Sequence, residues 1–253
     1  MNELATTAGI LAIANKLLGK TAEAISEDLA RLYAAGRDKI ITSALRKTRN
    51  INDGGKANLR VARDIFFNGS FTDESISAEY FGGVLASSRS IDGRDDRGIF
   101  YTDIIKSLSS QQLLFHYLIY RALNKLLLEM PPDKKRPDVA IFDDLQQYHV
   151  FFVTKELISL GLNGEKDLIA ITSKGLLDDN CEAQPYKTEN EIKMHYTKVT
   201  PSILGVQLYA LAHNRFPDWR KFPIEDFGVF PDISEPRYFA LSIEELMSKI
   251  DSK

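Results

Sequence analysis

Three sets of residues in this 253-residue chain have types and spacing that invite chemistry. The first is the loop SRSIDGRDDRG at 88–98, where Asp92, Asp95 and Asp96 offer oxygen ligands to a cation. A calcium loop needs alternating oxygen ligands and a bidentate Glu at its twelfth position. Here Arg89, Arg94 and Arg97 interrupt the acids, and the twelfth position counted from Asp92 is Asp103. The pattern predicts a solvated loop whose charges pair with one another. The second set is His116, His149, His195 and His213 with the single cysteine, Cys181. Their spacing fits no metal motif, and His116 lies within an apolar stretch, where a hydrogen-bonded core histidine is expected rather than a base. The third set is basic. Between Arg31 and Arg63 nine Lys/Arg face two Asp, a local charge of +7, leaving −10 on the rest of a chain whose total is −3. Arg31, Arg37, Lys39, Arg46, Lys47 and Arg49 are the candidate patch for an anionic partner, either nucleic acid or a membrane leaflet. Solvated helix faces are the plainer expectation for such a run. Helical spacing groups 39, 46 and 49 on one face, whereas 37 and 47 diverge from it.

The chain has no G-x-x-x-x-G-K-[ST], no G-x-S-x-G and no H-E-x-x-H, the motifs that would carry phosphate binding, acyl transfer or zinc hydrolysis. These absences favour a non-enzyme, with no catalytic residue, metal or cofactor expected. Hydrophobic residues make up 44% and charged residues 26% of the chain, enough to bury a core without staples. One cysteine allows no internal disulfide, and no cationic segment precedes an apolar run as in a leader peptide, which together fit the cytoplasm. The run LATTAGILAIANKLLG at 4–19 contains Asn15 and Lys16 and falls short of the ~20 apolar residues of a membrane span. It reads as an amphipathic helix, so stable membrane insertion is not expected.

The elements that must position these residues are mostly helical. Apolar periodicity predicts a helix from Thr21 to Thr48, with Gly36 as a bend or break, and another over 56–67 after the turn NDGG. A third, 73–88, buries Ile76, Tyr80, Phe81, Val84 and Leu85. Gly82 and Gly83 sit in its middle, where each costs roughly 0.8–1 kcal/mol relative to Ala. That cost implies the close approach of a neighbour, expected to be the 56–67 or the 109–129 helix. Ser109 and Gln112 form a capping box ahead of a helix, apolar nearly all round, that runs to Glu129.

The segment MPPDKKRPD at 130–138 holds three prolines and a charge run, placing a domain boundary between residues 1–130 and 131–253. Beyond it the pattern predicts a strand at 139–142 and a helix at 143–160 capped by Asp143 or Asp144 and stopped by Gly161. The alternation of DLIAIT at 167–172 and EIKMHYTKV at 191–199 predicts a hairpin. A helix starting at Thr200–Pro201, a proline- and aromatic-rich wrap over 216–236 and a last helix from Ser242 complete the chain. The fold class is mainly α, with an N-terminal helical half and a C-terminal winged-helix-like half carrying a small β-hairpin. Asp143, Asp144 and Glu156 against Lys155 on the helix at 143–160 make phosphate attraction weak there, so the winged arrangement is expected to pack rather than to read DNA.

The segments TAEAISEDLARLYAAGRDKIITSALRKT, SFTDESISAEYFGGVLASSRS, DIIKSLSSQQLLFHYLIY, ELISLGL and VTPSILGVQLYALAHN follow one another in an order that resembles the Abi-alpha abortive-infection family of bacterial proteins. The resemblance covers roughly residues 20–215 and rests on structural signals rather than reactive residues. The chain continues for about 40 residues past the Thr-Pro helix, where members of that family commonly finish. The resemblance implies a bacterial cytoplasmic protein of phage defence and supplies no catalytic residue. The expected function is a non-enzymatic interaction protein, working through a protein partner or self-association. A nucleic-acid-binding regulator using the basic 31–63 stretch is the alternative, and a cryptic hydrolase or nuclease effector a distant one.

Overall fold

The computed structural model describes residues 22–70, 74–130, 147–187 and 192–242, with the side chains of the first helix described from Leu32 onward. Helix α1, Ala22–Lys47, runs unbroken through Gly36. A methyl group at Gly36 would lie 2.2 Å from the Ser70 carbonyl oxygen, so this glycine permits a close approach instead of bending the helix. Two residues, β1 (Lys56–Ala57), pair with β2 (Arg89–Ser90), and this pairing delays helix α2 to Leu59–Gly69. Asn58 caps it, accepting from the amides of Arg60 and Val61. Helices α3 (Ser75–Ser87), α4 (Gly98–Lys106) and α5 (Ser110–Glu129) follow. The capping box of α5 is complete: the Gln112 amide donates to Ser109 Oγ at 3.2 Å and the Ser109 amide to Gln112 Oε1 at 2.9 Å.

Both α3 and α5 are buried nearly all round. Gly82 and Gly83 do admit close neighbours, but not the expected ones. Gly82 lies against Ser43 and Ala44 of α1, and Gly83 against the backbone of Ala212. The reason is that α3 is the middle layer of the helical half, pressed between α1 and a helix contributed from far along the chain, α8 (Ile203–Ala212).

The C-terminal half departs further from the sequence expectation. Tyr148–Val153, expected inside a helix, is strand β3. Tyr148, Val150 and Phe152 are fully buried on one face, and an aromatic and β-branched run of this kind fits a pleated surface better than a helix. Among the described residues of that stretch Thr154–Ser159 is helical, as α6, and Gly161 at φ 74° follows its end as the expected stop. DLIAIT, expected to be a strand, lies in helix α7, Gly164–Ser173, which Asn163 caps through the Lys166 amide. Leu168 and Ile171 face the core, so two residues three apart outweigh the apparent alternation. Strand β5 (Lys193–Val199) is where the alternation put it, but it pairs with β4 (Glu182–Lys187) and β3. With β6 (Tyr238–Ser242) the sheet order is β4-β5-β3-β6, all antiparallel. Helix α8 begins two residues later than expected: Ser202, not Thr200, accepts from the Gly205 amide.

The wrap over 216–236 is ordered. A 3-10 helix, Phe216–Lys221, leads into Phe222, Phe227 and Phe230, all buried, and Phe230 stacks on Tyr117 of α5 at 4.5 Å. Asn124 of α5 donates to the carbonyls of Phe222 and Glu225 at 2.5 and 3.0 Å, supplying partners for backbone that the wrap would otherwise leave unpaired. One hydrophobic cluster therefore runs through both sides of the expected boundary at 130/131. The fold is predominantly helical with small antiparallel sheets. Among the described residues no helix is long and apolar enough to cross a membrane. The expected helices at 4–19 and after Ser242, and the expected strand at 139–142 with the caps Asp143 and Asp144, lie outside the described residues.

Candidate functional site

The six basic residues of the candidate patch do not share one surface. Lys39 and Arg49 are exposed. Arg37 bonds to its neighbour Asp38 at 2.9 Å. The side chain of Arg31 lies outside the described residues. Arg46 and Lys47, at the end of α1, turn inward to Glu79 of α3. Lys47 is thereby withdrawn from the surface, whereas Arg46 stays exposed along its length while engaging Glu79.

Glu79 is 3% exposed and collects three donors. Lys47 Nζ reaches Glu79 Oε2 at 2.6 Å, Ser43 Oγ donates to the same oxygen at 3.0 Å, and Arg46 donates to Oε1. Lys47 Nζ also donates to the Glu79 carbonyl at 2.7 Å and lies 4.6 Å from the centre of the Phe230 ring. Burial alone would raise the Glu79 carboxyl, but the Lys47 charge and hydrogen bond, joined by Arg46, hold it below its ordinary value. Burial pushes the Lys47 ammonium down to about 8 against the pull of Glu79. This buried carboxylate is held by donors that all come from the end of α1. It binds α1 to α3.

The junction continues beside it. Asn214, in the left-handed conformation at φ 54°, accepts from Ser87 Oγ at 3.0 Å and donates to the Lys47 carbonyl at 2.9 Å. The ends of α1, α3 and α8 are thereby tied through one amide. His213 stacks on Phe230 at 4.4 Å; desolvation, followed by the nearby Lys47 charge, holds its imidazole well below its ordinary value.

The other candidate reactive groups are also committed. His116 is fully buried, with Nδ1 2.5 Å from the Tyr80 hydroxyl. Burial pushes this imidazole down to about 3, against a small opposing contribution from the Gly205 backbone. It is the core histidine expected from its apolar surroundings. His149 Nδ1 meets the Tyr196 hydroxyl at 2.7 Å. His195 packs its ring directly over Gly164, where a methyl group would lie 2.0 Å from Nε2. The Cys181 thiol donates to the Asp178 carbonyl at 3.0 Å, and burial raises it. None of these contacts joins a serine, threonine or cysteine to a histidine.

In the loop at 88–98 Asp95 pairs within the loop as expected, whereas Asp96 is met by a cation of α2 and Asp92 by a hydroxyl. Ser90 Oγ donates to Asp92 at 2.8 Å, Arg97 Nε to Asp95 at 2.9 Å, and Arg60 reaches Asp96 at 3.6 Å. Among the described residues no group of three or more His, Cys, Asp or Glu is placed to hold a metal ion. Asp95 and Arg97 line a shallow cleft of about 240 Å³ with Ser87, Tyr101 and Phe216. The Arg97 guanidinium lies 5.7 Å over the Phe216 ring and Ser87 is bonded to Asn214, so the cleft offers no activated nucleophile.

Sequence reasoning missed Glu79, although a signal was there. An acid one residue before Tyr80–Phe81–Gly82, on a helix apolar on every other side, requires a buried cation. It also missed the exposed Ile158 on α6 and Ile169 on α7, 65% and 64% accessible, because Ile169 was placed in a strand. Compared with family models, with curated proteins and with solved structures, the chain matches none.

Proposed function

We propose that this chain is a non-enzymatic interaction protein of bacterial phage defence, in keeping with its resemblance to the Abi-alpha family. The observation that carries the first part is the commitment of its reactive groups. Glu79, Lys47 and His116 are buried in internal bonds, while large aliphatic side chains stand in water on α6 and α7. The order α5-β3-α6-α7-β4-β5, with β5 between β3 and β4, supports a winged-helix-like reading of the C-terminal half. In that reading α7 takes the place of the recognition helix. Its outward residues are Glu165, Lys166, Ile169 and Ser173. From Thr154 to Val199 six lysines and no arginine face eight acids. A stretch with no excess of cations has little to offer a phosphate backbone, so the module is read as a protein-contact element.

The test is plating efficiency of phage on bacteria expressing the chain. Expected is protection by the wild type and its loss in Ile169→Glu, with the thermal midpoint of the variant unchanged because the site is exposed. Protection that survives Ile169→Glu would sink the assignment to α7. Salt-sensitive retention on nucleic acid, lost on combining Lys39→Glu with Arg49→Glu, would replace it with the regulator reading.

A further inference from the structure

In chain order β3, the pair α6 and α7, β4, β5, α8 and β6 follow the pattern β-α-β-β-α-β. The sheet order β4-β5-β3-β6 puts the first and third of these strands in the middle. The two faces of this sheet differ. Tyr148, Val150 and Phe152 join the hydrophobic cluster, where Phe115 of α5 lies 6.0 Å from the Phe152 ring. Helix α7 approaches the same face, with Gly164 under the His195 ring. Phe151 and Met194 are buried too, but outside that cluster. They belong to the other face, where the register aligns Gln184, Tyr196, Phe151 and Phe239 in one rank across all four strands. Phe151 stacks on Phe239 and tilts against Tyr196, and Tyr186 stands edge-on to it. Phe239, Tyr186 and Gln184 are exposed and Tyr196 is half-buried. Beside Tyr196, His149 Nδ1 meets the tyrosine hydroxyl at 2.7 Å, whereas its Nε2 is buried with no hydrogen-bond partner, a polar group that calls for a further partner.

We infer that this rank of rings binds a short single strand of nucleic acid, whose bases stack on Phe239, Tyr196 and Tyr186. The cations of the face are paired within the chain, Lys198 with Glu182 at 2.8 Å and Arg237 with Glu156 at 2.6 Å. An occupant held by phosphate charge is therefore ill-matched, and so is a duplex, whose bases already stack on one another. A planar, uncharged group suits the face better. The rings meet its flat side, as aromatics do for every base in single-strand binding, and the Gln184 amide offers a donor and an acceptor to its edge. An apolar helix laid here would bury that amide without a partner. Four strands at ~4.8 Å spacing span roughly 14 Å, room for the two or three unpaired bases that a four-stranded sheet stacks on its aromatics in RNA-recognition modules. The inference does not rest on what α7 contacts, since α7 lies against the opposite face of the sheet.

The test is fluorescence anisotropy of short labelled oligo-dT and oligo-U, and of a duplex of the same length, titrated with the full chain. At least one single strand is expected to bind, and a preference between the two tells whether the sugar is read. The duplex is expected not to bind. Phe239→Leu and Tyr186→Leu keep an apolar surface but remove the ring face, and each should weaken binding about tenfold, within the range for loss of a stacking residue. Phe239→Tyr and Tyr186→Phe keep the ring face and should keep the affinity, with the circular dichroism of all four variants unchanged. The salt slope should be no steeper than about −0.7, that of one neutralised phosphate on a single strand. Ile169→Glu should leave binding intact, which separates this outcome from that of the α7 contact. Failure of both single strands to bind overturns the inference, as does binding indifferent to Phe239→Leu and Tyr186→Leu. A duplex bound as tightly as the single strands overturns it too. Binding lost on combining Lys39→Glu with Arg49→Glu, and kept in Phe239→Leu, assigns the nucleic acid to the end of α1 instead.

Discussion

The seam around α3 and the sheet around β3 bring their elements together with opposite materials. At α3, contact depends on what side chains lack. Gly82 and Gly83 let α1 and α8 come so near that an added methyl group on Gly83 would lie 2.4 Å from the Ala212 carbonyl oxygen. At β3, contact depends on what side chains add: Phe151 stacks on Phe239 at 4.5 Å and meets Tyr196 and Tyr186 at 5.1 and 5.3 Å. The seam also carries an ion cluster, Glu79 with Lys47 and Arg46. The outer face of the sheet keeps half-exposed rings at its edge, with Phe239 40% and Tyr186 47% accessible. The seam should therefore be brittle to any change of size or charge, and the sheet forgiving.

The largest expected effect is at the ion cluster. Glu79→Ala leaves the Lys47 ammonium buried beside Arg46 with no carboxylate, a kind of break that costs about 3–5 kcal/mol. Denaturant unfolding of Glu79→Ala and of Glu79→Leu with Lys47→Met decides whether the charges themselves matter. Recovery in the double variant is expected, since apolar replacement of a buried pair is often neutral or stabilising. A single variant as stable as the wild type would show that the cluster is solvated.

Next comes the contrast of size. Gly83→Leu should cost about 3 kcal/mol, the upper part of the overpacking range, because backbone and not a flexible side chain blocks the space. Phe239→Leu, at the exposed edge of the sheet, should cost about 1 kcal/mol. Equal losses of stability in the two variants would dissolve the distinction between the regions.

The effect of pH is spread over several units rather than concentrated in one substitution. His116 is held neutral down to about 3, whereas the unfolded chain protonates it near 6.5. Between those values the unfolded state binds the extra proton, so stability rises with pH and falls as the solution is acidified. The contribution is about 1.4 kcal/mol per pH unit below 6.5, and it should vanish from the pH profile of His116→Gln. A variant whose profile keeps the wild-type slope between pH 6 and 4 would show that the imidazole is protonated in the folded core.

The sequence by itself determined what local rules control. The α5 capping box, the extents of α1 and α3, the Gly161 stop and the buried state of His116 all follow from residues within a turn or two of one another. It also showed that Gly82 and Gly83 must face a neighbour, because their cost in helix propensity needs an offset. Only tertiary structure decided which neighbour, since Ser43 and Ala212 are brought there by topology. Short elements were legible only in part: six residues such as Tyr148–Val153, or ten such as Gly164–Ser173, contain too few periods to separate a strand from a helix. The fate of the basic stretch was likewise decided in three dimensions. Charge density can be counted along the chain, but Lys47 was drawn inward and the tip of Arg46 engaged by a carboxylate on another helix, because a buried Glu79 is stable only with cations beside it.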